Sequence, residues 1–166
     1  MEIINKLKKI DSIVFGNYIL KQYGAMSHLK LQKLVFYCDA YHLACFDQEL
    51  VEDKFEAWVH GPVSRKLYNC LKDKSILYSD IEYTPTEGIN EDEAFNKLTS
   101  DQQDLIKAVL TTLSKWTALD LERSTHAEKP WIEARGCLSP ASKCNNEISK
   151  ETTKEFYKNE MATWEA

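Results

Sequence analysis

Cys38, His42 and Cys45 stand 4 and 3 residues apart. On a helix this spacing lines them along one face, and thiolate and imidazole are ligand types that zinc accepts. A zinc site usually has four ligands, and Cys137 with Cys144 could complete it. No CxxC pair is present, and small thiols are common in helical cores, so buried cysteine is expected rather than metal. The four histidines, His28, His42, His60 and His126, leave a Cys–His nucleophile pair open on composition alone. No local pattern of a cysteine-hydrolase family surrounds any of the five cysteines, however. GxGxxG, GxxxxGKS/T, HExxH and GxSxG are all absent, so phosphate loops, zincin sites and hydrolase elbows have no support. The expectation is a protein that is not an enzyme and carries no cofactor and no metal.

A second group of residues suits recognition better than catalysis. His60, Gly61 and Pro62 read as a corner, in which glycine and proline set the backbone and the imidazole bonds a nearby carbonyl. With Trp58, His60 forms an aromatic and imidazole pair on one face of a short strand. His126 and Trp131 flank Pro130 at the start of a helical turn, where a buried tryptophan with a hydrogen-bonded histidine is mostly architecture. The sharper reading joins Trp58, His60, His126 and Trp131 into one partner-binding pocket, with Gly61, Pro62 and Pro130 as its structural corners.

The elements that must position these residues are mostly helices. Ile10, Ile13, Val14, Tyr18, Leu20 and Tyr23 predict a helix over about 11–23, closed by Gly24. Ser27 offers an N-cap for a longer helix through Phe46. Its inner face would carry Leu31, Leu34, Val35, Cys38, Tyr41 and Cys45, leaving Lys30, Lys33 and Asp39 outside; Lys30, Gln32 and Lys33 read as solvated. Residues 54–60 alternate in a period of two and predict a strand. Gly61-Pro62 breaks it, and Pro62 at a first helical turn would open a helix to about Lys72. Ile76-Leu77-Tyr78 with Ile81 and Tyr83 would form the second strand of a hairpin. Residues 84–96 read as an acidic loop. Thr99 or Ser100, Thr117 and Ser149 cap three later helices, and residues 136–146 read as a loop. The fold class is mainly α, a helical domain with a small antiparallel β-hairpin occupying 1–166 as one unit.

Composition narrows the partners. The 166 residues are 43% hydrophobic and 28% charged, with only 5 glycines and 4 prolines, which excludes collagen-like, low-complexity and largely disordered classes. Lys and Arg total 21 against 26 Asp plus Glu, a net charge of −5. That balance argues against a whole-molecule grip on nucleic acid and hints at a basic partner. The lysines at 6, 8, 9, 30 and 33 are expected on solvated faces. No run approaches the roughly 18 apolar residues of a membrane span, and Met1–Lys6 does not resemble a signal peptide. A soluble, cytoplasmic protein is expected, with a homo-oligomer left open.

Three ordered blocks carry a family resemblance. They are HLKLQKLVFYCDAYHLA from His28, FEAWVHGPV from Phe55, and THAEKPW from Thr125, followed by Ala134-Arg135. Together they resemble the Panacea domain, the family of SocA-like antitoxins and phage-associated GepA-like proteins. Cys38 and Asp39 depart from the small or Gln-like residues usual there, and the acidic 84–96 stretch has no fixed counterpart. The resemblance implies a mostly helical domain with a β-hairpin, acting as an antitoxin that binds and neutralises a cognate toxin. It also implies an alternative, an adaptor that delivers a partner to a protease. A small Cys/His-dependent enzyme is the remaining and weaker class.

Overall fold

The structure, a computed structural model, describes residues 5–74 and 79–164. Asp11 starts the first helix, because its carboxylate accepts the otherwise unpaired N–H groups of Ile13 at 2.9 Å and Val14 at 3.2 Å. Helix α1 (Ser12–Tyr23) ends at Gly24, whose φ of +92° turns the chain where a side chain would be strained. Strand β1 (Met26–Ser27) follows, and Ser27 caps α2 (His28–Phe46) by accepting the Lys30 N–H at 3.2 Å. Both helices match their predicted spans.

Helix α2 is the axis of the molecule. It packs against α1, α3 (Arg65–Leu71), α5 (Ser100–Leu113), α6 (Ala118–His126) and α8 (Lys150–Trp164). With neighbours on every side, 15 of its 19 residues are buried, including Lys33 and Asp39. The predicted solvated face of this helix therefore does not exist: Gln32, Lys33 and Asp39 lie inside, and only Lys30 keeps partial exposure. A helix enclosed all round buries its polar residues too, and each must find a partner. Gln32 does so by copying a backbone: its amide oxygen accepts the Ser64 N–H at 2.9 Å and its NH2 donates to the Ser64 carbonyl at 3.1 Å.

The hairpin differs from its prediction. Strand β2 (Phe55–Trp58) pairs antiparallel with β3 (Gly61–Ser64), so Val59-His60 is a two-residue turn and Pro62 lies in a strand rather than opening a helix. Pro62 is tolerated because its partner Ala57 directs its N–H elsewhere, to the Asn146 carbonyl at 2.9 Å, so no ladder bond needs a proline donor. The helix instead begins after Ser64, whose hydroxyl accepts the Leu67 N–H at 3.1 Å. Of the residues expected to form the second strand, 76–78 lie outside the described residues. Strand β4 (Asp80–Ile81) pairs with β1 and not with β2.

The expected acidic loop also contains a helix, α4 (Glu91–Asn96), capped by Asn90 and carrying Glu91, Asp92 and Glu93 in its first turn, where the helix dipole favours them. Phe95 anchors it by stacking on Tyr18 at 4.2 Å. Capping boxes at Thr99–Gln102 and Thr117–Asp120 start α5 and α6, and Ser149 accepts the Thr152 N–H at 3.1 Å at the head of α8. Helix α7 (Lys129–Arg135) carries Pro130 in its first turn. One hydrophobic cluster, including Phe15, Ile19, Leu31, Leu34, Leu110 and Tyr157, joins the helices. Among the described residues there are eight helices and two two-stranded antiparallel sheets, a mainly α fold with small hairpins as predicted. No helix among them is long and apolar enough to cross a membrane.

Candidate functional site

The cysteine and histidine of α2 do not converge. His42 Nδ1 donates to the Gln48 carbonyl at 2.6 Å, and its Nε2 accepts from the Gln102 amide at 2.9 Å. The neutral ring thereby ties α2 to α5, and burial lowers its pKa. Cys38 is buried, whereas Cys45 is exposed against Met161 at 3.6 Å. Cys137 is also exposed and Cys70 and Cys144 are half-buried, so the buried-cysteine expectation holds at Cys38 alone. Among the described residues no three His, Cys, Asp or Glu side chains are grouped to hold a metal ion.

The three sequence blocks meet at the hairpin. Gly61, with φ +111°, sits where an added Cβ would lie 2.9 Å from Thr125 Oγ1 and 3.0 Å from Lys33 Cε. Backbone conformation and space both demand glycine there. Trp131 donates its indole N–H to the Trp58 carbonyl at 2.8 Å, and Arg135 donates to the Ala57 carbonyl at 2.8 Å. His126 stacks on Trp131 at 4.1 Å, bonds the Val59 backbone, and has its pKa lowered mainly by burial. Trp131 and His126 thus clamp the hairpin by its backbone.

Lys33 is fully buried beneath this corner. Its ammonium donates to the Leu29 carbonyl at 3.4 Å, and burial lowers its pKa to about 8 although the charge of Glu122 acts the other way. The folded protein binds fewer protons here than the unfolded chain, whose lysine titrates near 10.5, so stability rises with pH between about 8 and 10.5. Below about 8 the cost of the buried charge is fully present, on the order of 3 kcal/mol. Lys33→Met is expected to raise stability at pH 7 by up to about 3 kcal/mol and to flatten this rise in urea unfolding followed across pH 7–10.5.

Trp58 and His60 point to different work. They line a cavity of about 670 Å³ with His28, Gln32, Arg65 and Tyr68, closed on another side by Ala141, Lys143, Cys144 and Asn145. That size suits a bound side chain cluster or small ligand. One wall is a run of planar groups: the Arg65 guanidinium lies 5.2 Å from the Trp58 ring, Trp58 meets the edge of Tyr68 at 4.8 Å, and Tyr68 stacks on His28 at 5.4 Å. Arg65 is fixed by a bidentate pair with Glu56, at 2.9 and 3.1 Å, and Trp58 donates to the same carboxylate at 2.9 Å. His60, at the turn, meets Glu122 at 2.6 Å.

His28 is the unusual member of this wall. The Gln32 amide oxygen is committed to Ser64, so its nitrogen is the donor and His28 Nε2 accepts at 3.1 Å. The neutral ring must then carry its proton on Nδ1, which is buried and has no partner among the described residues. Burial, helped by the charge of Lys33, lowers the pKa of His28 to about 4 and keeps it neutral. A buried donor without an acceptor is costly, and each such atom marks a place where the fold carries strain.

The structure therefore brings Trp58 and His60 to the cavity and places His126 and Trp131 outside its lining. Sequence reasoning missed His28, Gln32, Arg65 and Tyr68. A His–Gln pair four residues apart on a helix was the available signal for two of them. Nothing in the spacing pointed to Glu122 or to the wall at 141–145.

Residues 31–132 match the family described as antitoxin SocA-like, Panacea domain. Antitoxin SocA of Caulobacter vibrioides (strain NA1000 / CB15N) is 28% identical over 132 residues, covering 75% of this chain and 70% of that protein. No solved structure matches the chain. The matched segment runs from the core of α2 through the hairpin to Trp131, the same interlock of Lys33, Gly61, Thr125 and Trp131 seen in the fold, and the chain belongs to the SocA-like antitoxin family of Panacea domains.

Proposed function

We propose that this protein is a toxin-neutralising binding module, folded as one domain, that works by direct contact with a cognate protein toxin and without catalysis. Membership of an antitoxin family carries this reading. The Trp58–His60 cavity is the anchor point: it offers aromatic walls and a fixed guanidinium, the features of a recognition hot spot. At α2 the thiols agree with a binding role, since burial pushes Cys38 and Cys45 away from the reactive thiolate form. The hairpin clamp of His126 and Trp131 holds Trp58 and His60 in place.

Co-expression with each adjacent open reading frame tests the reading through growth. One neighbour should be toxic alone and rescued by this chain; absence of any rescued neighbour overturns it. Trp58→Ala should weaken toxin binding by about 30-fold, as loss of a hot-spot aromatic does at about 2 kcal/mol. The His60→Ala, His126→Ala double variant should unfold cooperatively yet fail to rescue. Loss of cooperative folding instead would assign both histidines to architecture.

A further inference from the structure

A second cavity, of about 540 Å³, shares no residue with the first. It opens between α2, α5 and α8, and its walls include Tyr37, Tyr41, Trp116, Glu128, Glu160 and Trp164. Tyr41 lies 5.2 Å from Trp164 and 6.3 Å from Tyr37 between ring centres. Trp116 and Trp164 are 39% and 61% exposed and line the same cavity, so they belong to one exposed aromatic patch. Among the described residues no Lys, Arg or His lines the cavity.

The two carboxylates here lack the cations that pair elsewhere in the molecule. The Tyr37 and Tyr157 hydroxyls both donate to the same oxygen of Glu128, Oε1, at 2.5 and 3.0 Å. Oε2 receives no hydrogen bond among the described residues. Glu160 disfavours ionisation of Glu128 further by its own negative charge. Electron-rich ring faces around two unpaired carboxylates are complementary to a cation, and to a planar guanidinium above all.

We propose that this groove is a second docking site, which takes an arginine side chain of the toxin between Tyr37, Tyr41, Trp116 and Trp164 and pairs it with Glu128 and Glu160. The proposal rests on the antitoxin reading for the identity of the partner, while the cage itself follows from the residues. The chain's net charge of −5 agrees with a basic partner. Glu128 is held up at about 7, first by burial, with the hydroxyls of Tyr37 and Tyr157 acting against this. The groups around it are Tyr37 and Tyr41 on α2, Ser124 on α6, and Tyr157 and Glu160 on α8, none of them a cation. A guanidinium needs the ionised form, so binding should weaken as pH falls through 7.

The probe is the blocked peptide acetyl-Gly-Arg-Gly-amide, with the citrulline peptide as its neutral isostere. The full chain is titrated while the four indole N–H signals are followed by NMR. At pH 8 the arginine peptide should shift Trp116 and Trp164 saturably and leave Trp58 and Trp131 in place, and citrulline should shift none. Apparent affinity should fall about tenfold at pH 6, where about a tenth of Glu128 is ionised. The Glu128→Gln, Glu160→Gln variant, which keeps an acceptor for the tyrosine hydroxyls, should abolish the shifts and reduce affinity for the toxin at least tenfold. No shift at Trp116 and Trp164, equal shifts with citrulline, or a double variant that binds peptide or toxin undiminished overturns the cage. The peptide arm involves no toxin, so it separates failure of the cage from failure of the antitoxin reading.

Discussion

Asp39→Ala is expected to lower the unfolding free energy by about 3–5 kcal/mol, as breaking a buried ion pair from one side usually does. Asp39 is 1% exposed, and its two oxygens have separate duties. Oδ1 accepts the Leu50 N–H at 2.9 Å and the Val51 N–H at 3.2 Å; Oδ2 accepts from Lys150 Nζ at 2.7 Å. One side chain on α2 thus holds the segment after that helix and the first turn of α8. Burial raises the Asp39 pKa although Lys150 opposes it, so the pair itself adds little net stability. The loss comes from what is left behind, two buried amides without acceptors and a void in the core. Lys150 is partly exposed and can turn to Glu49, 3.4 Å away. Lys150→Met removes the counter-ion of Asp39 but leaves its carboxyl on both amides. Because burial already raises that pKa, the carboxyl can take up a proton instead of standing charged. Lys150→Met should therefore cost less than Asp39→Ala, and Asp39→Asn, which keeps an acceptor for the amides, should fall between. Urea unfolding of the three variants at pH 7 checks the order; equal losses for Lys150→Met and Asp39→Ala would assign the stability to the pair instead of to the amides.

Arg135→Ala should cost about 3 kcal/mol and also impair binding at the first cavity. Arg135 is 3% exposed, lies 4.7 Å from the Trp131 ring, and holds the Ala57 carbonyl in the hairpin. Its other terminal nitrogen donates to the carbonyls of Ser139 at 2.8 Å, Pro140 at 3.4 Å and Ser142. These bonds fold the 136–146 loop back so that Ala141, Lys143, Cys144 and Asn145 form a wall of the cavity. Removing the guanidinium should speed amide hydrogen exchange at 139–145 and reduce toxin affinity by at least tenfold. Arg135→Lys should not restore either, because one ammonium cannot span a strand carbonyl and a loop carbonyl as a planar fork does. Unchanged exchange at 139–145 in Arg135→Ala would remove this role.

Much of the site was legible only as an expectation about types. The Thr125–Trp131 block pointed to a histidine–tryptophan pair beside a proline, and the structure has that pair stacked. The sequence also joins this pair to the Trp58–His60 corner, but not by which bond, because Trp131 donates to a backbone carbonyl that any residue at 58 would offer. The period of two puts Trp58 and His60 on one strand face; the structure has His60 in the turn after β2 instead, yet the two residues do share a cavity. Lys33 was misjudged for a different reason. Helical spacing tells which residues share a face but not what covers the opposite one, and β3 and α6, distant in sequence, cover α2 at Lys33.

The sequence by itself determined where most of the helices start. Asp11, Ser27, Thr99, Thr117 and Ser149 start helices through bonds made within a few residues, so side-chain chemistry suffices. It also determined family membership, through three blocks whose order survives translation into any fold. Only the tertiary structure decided which strand pairs with β2, that Lys33 and Asp39 are internal, and that the 136–146 loop walls a cavity. Those outcomes depend on carbonyls, amides and space supplied by segments dozens of residues away. A hydrogen bond to a distant backbone group leaves no residue-type signature in the segment that receives it, which is why the interlock at Gly61 is visible only where the three blocks stand together.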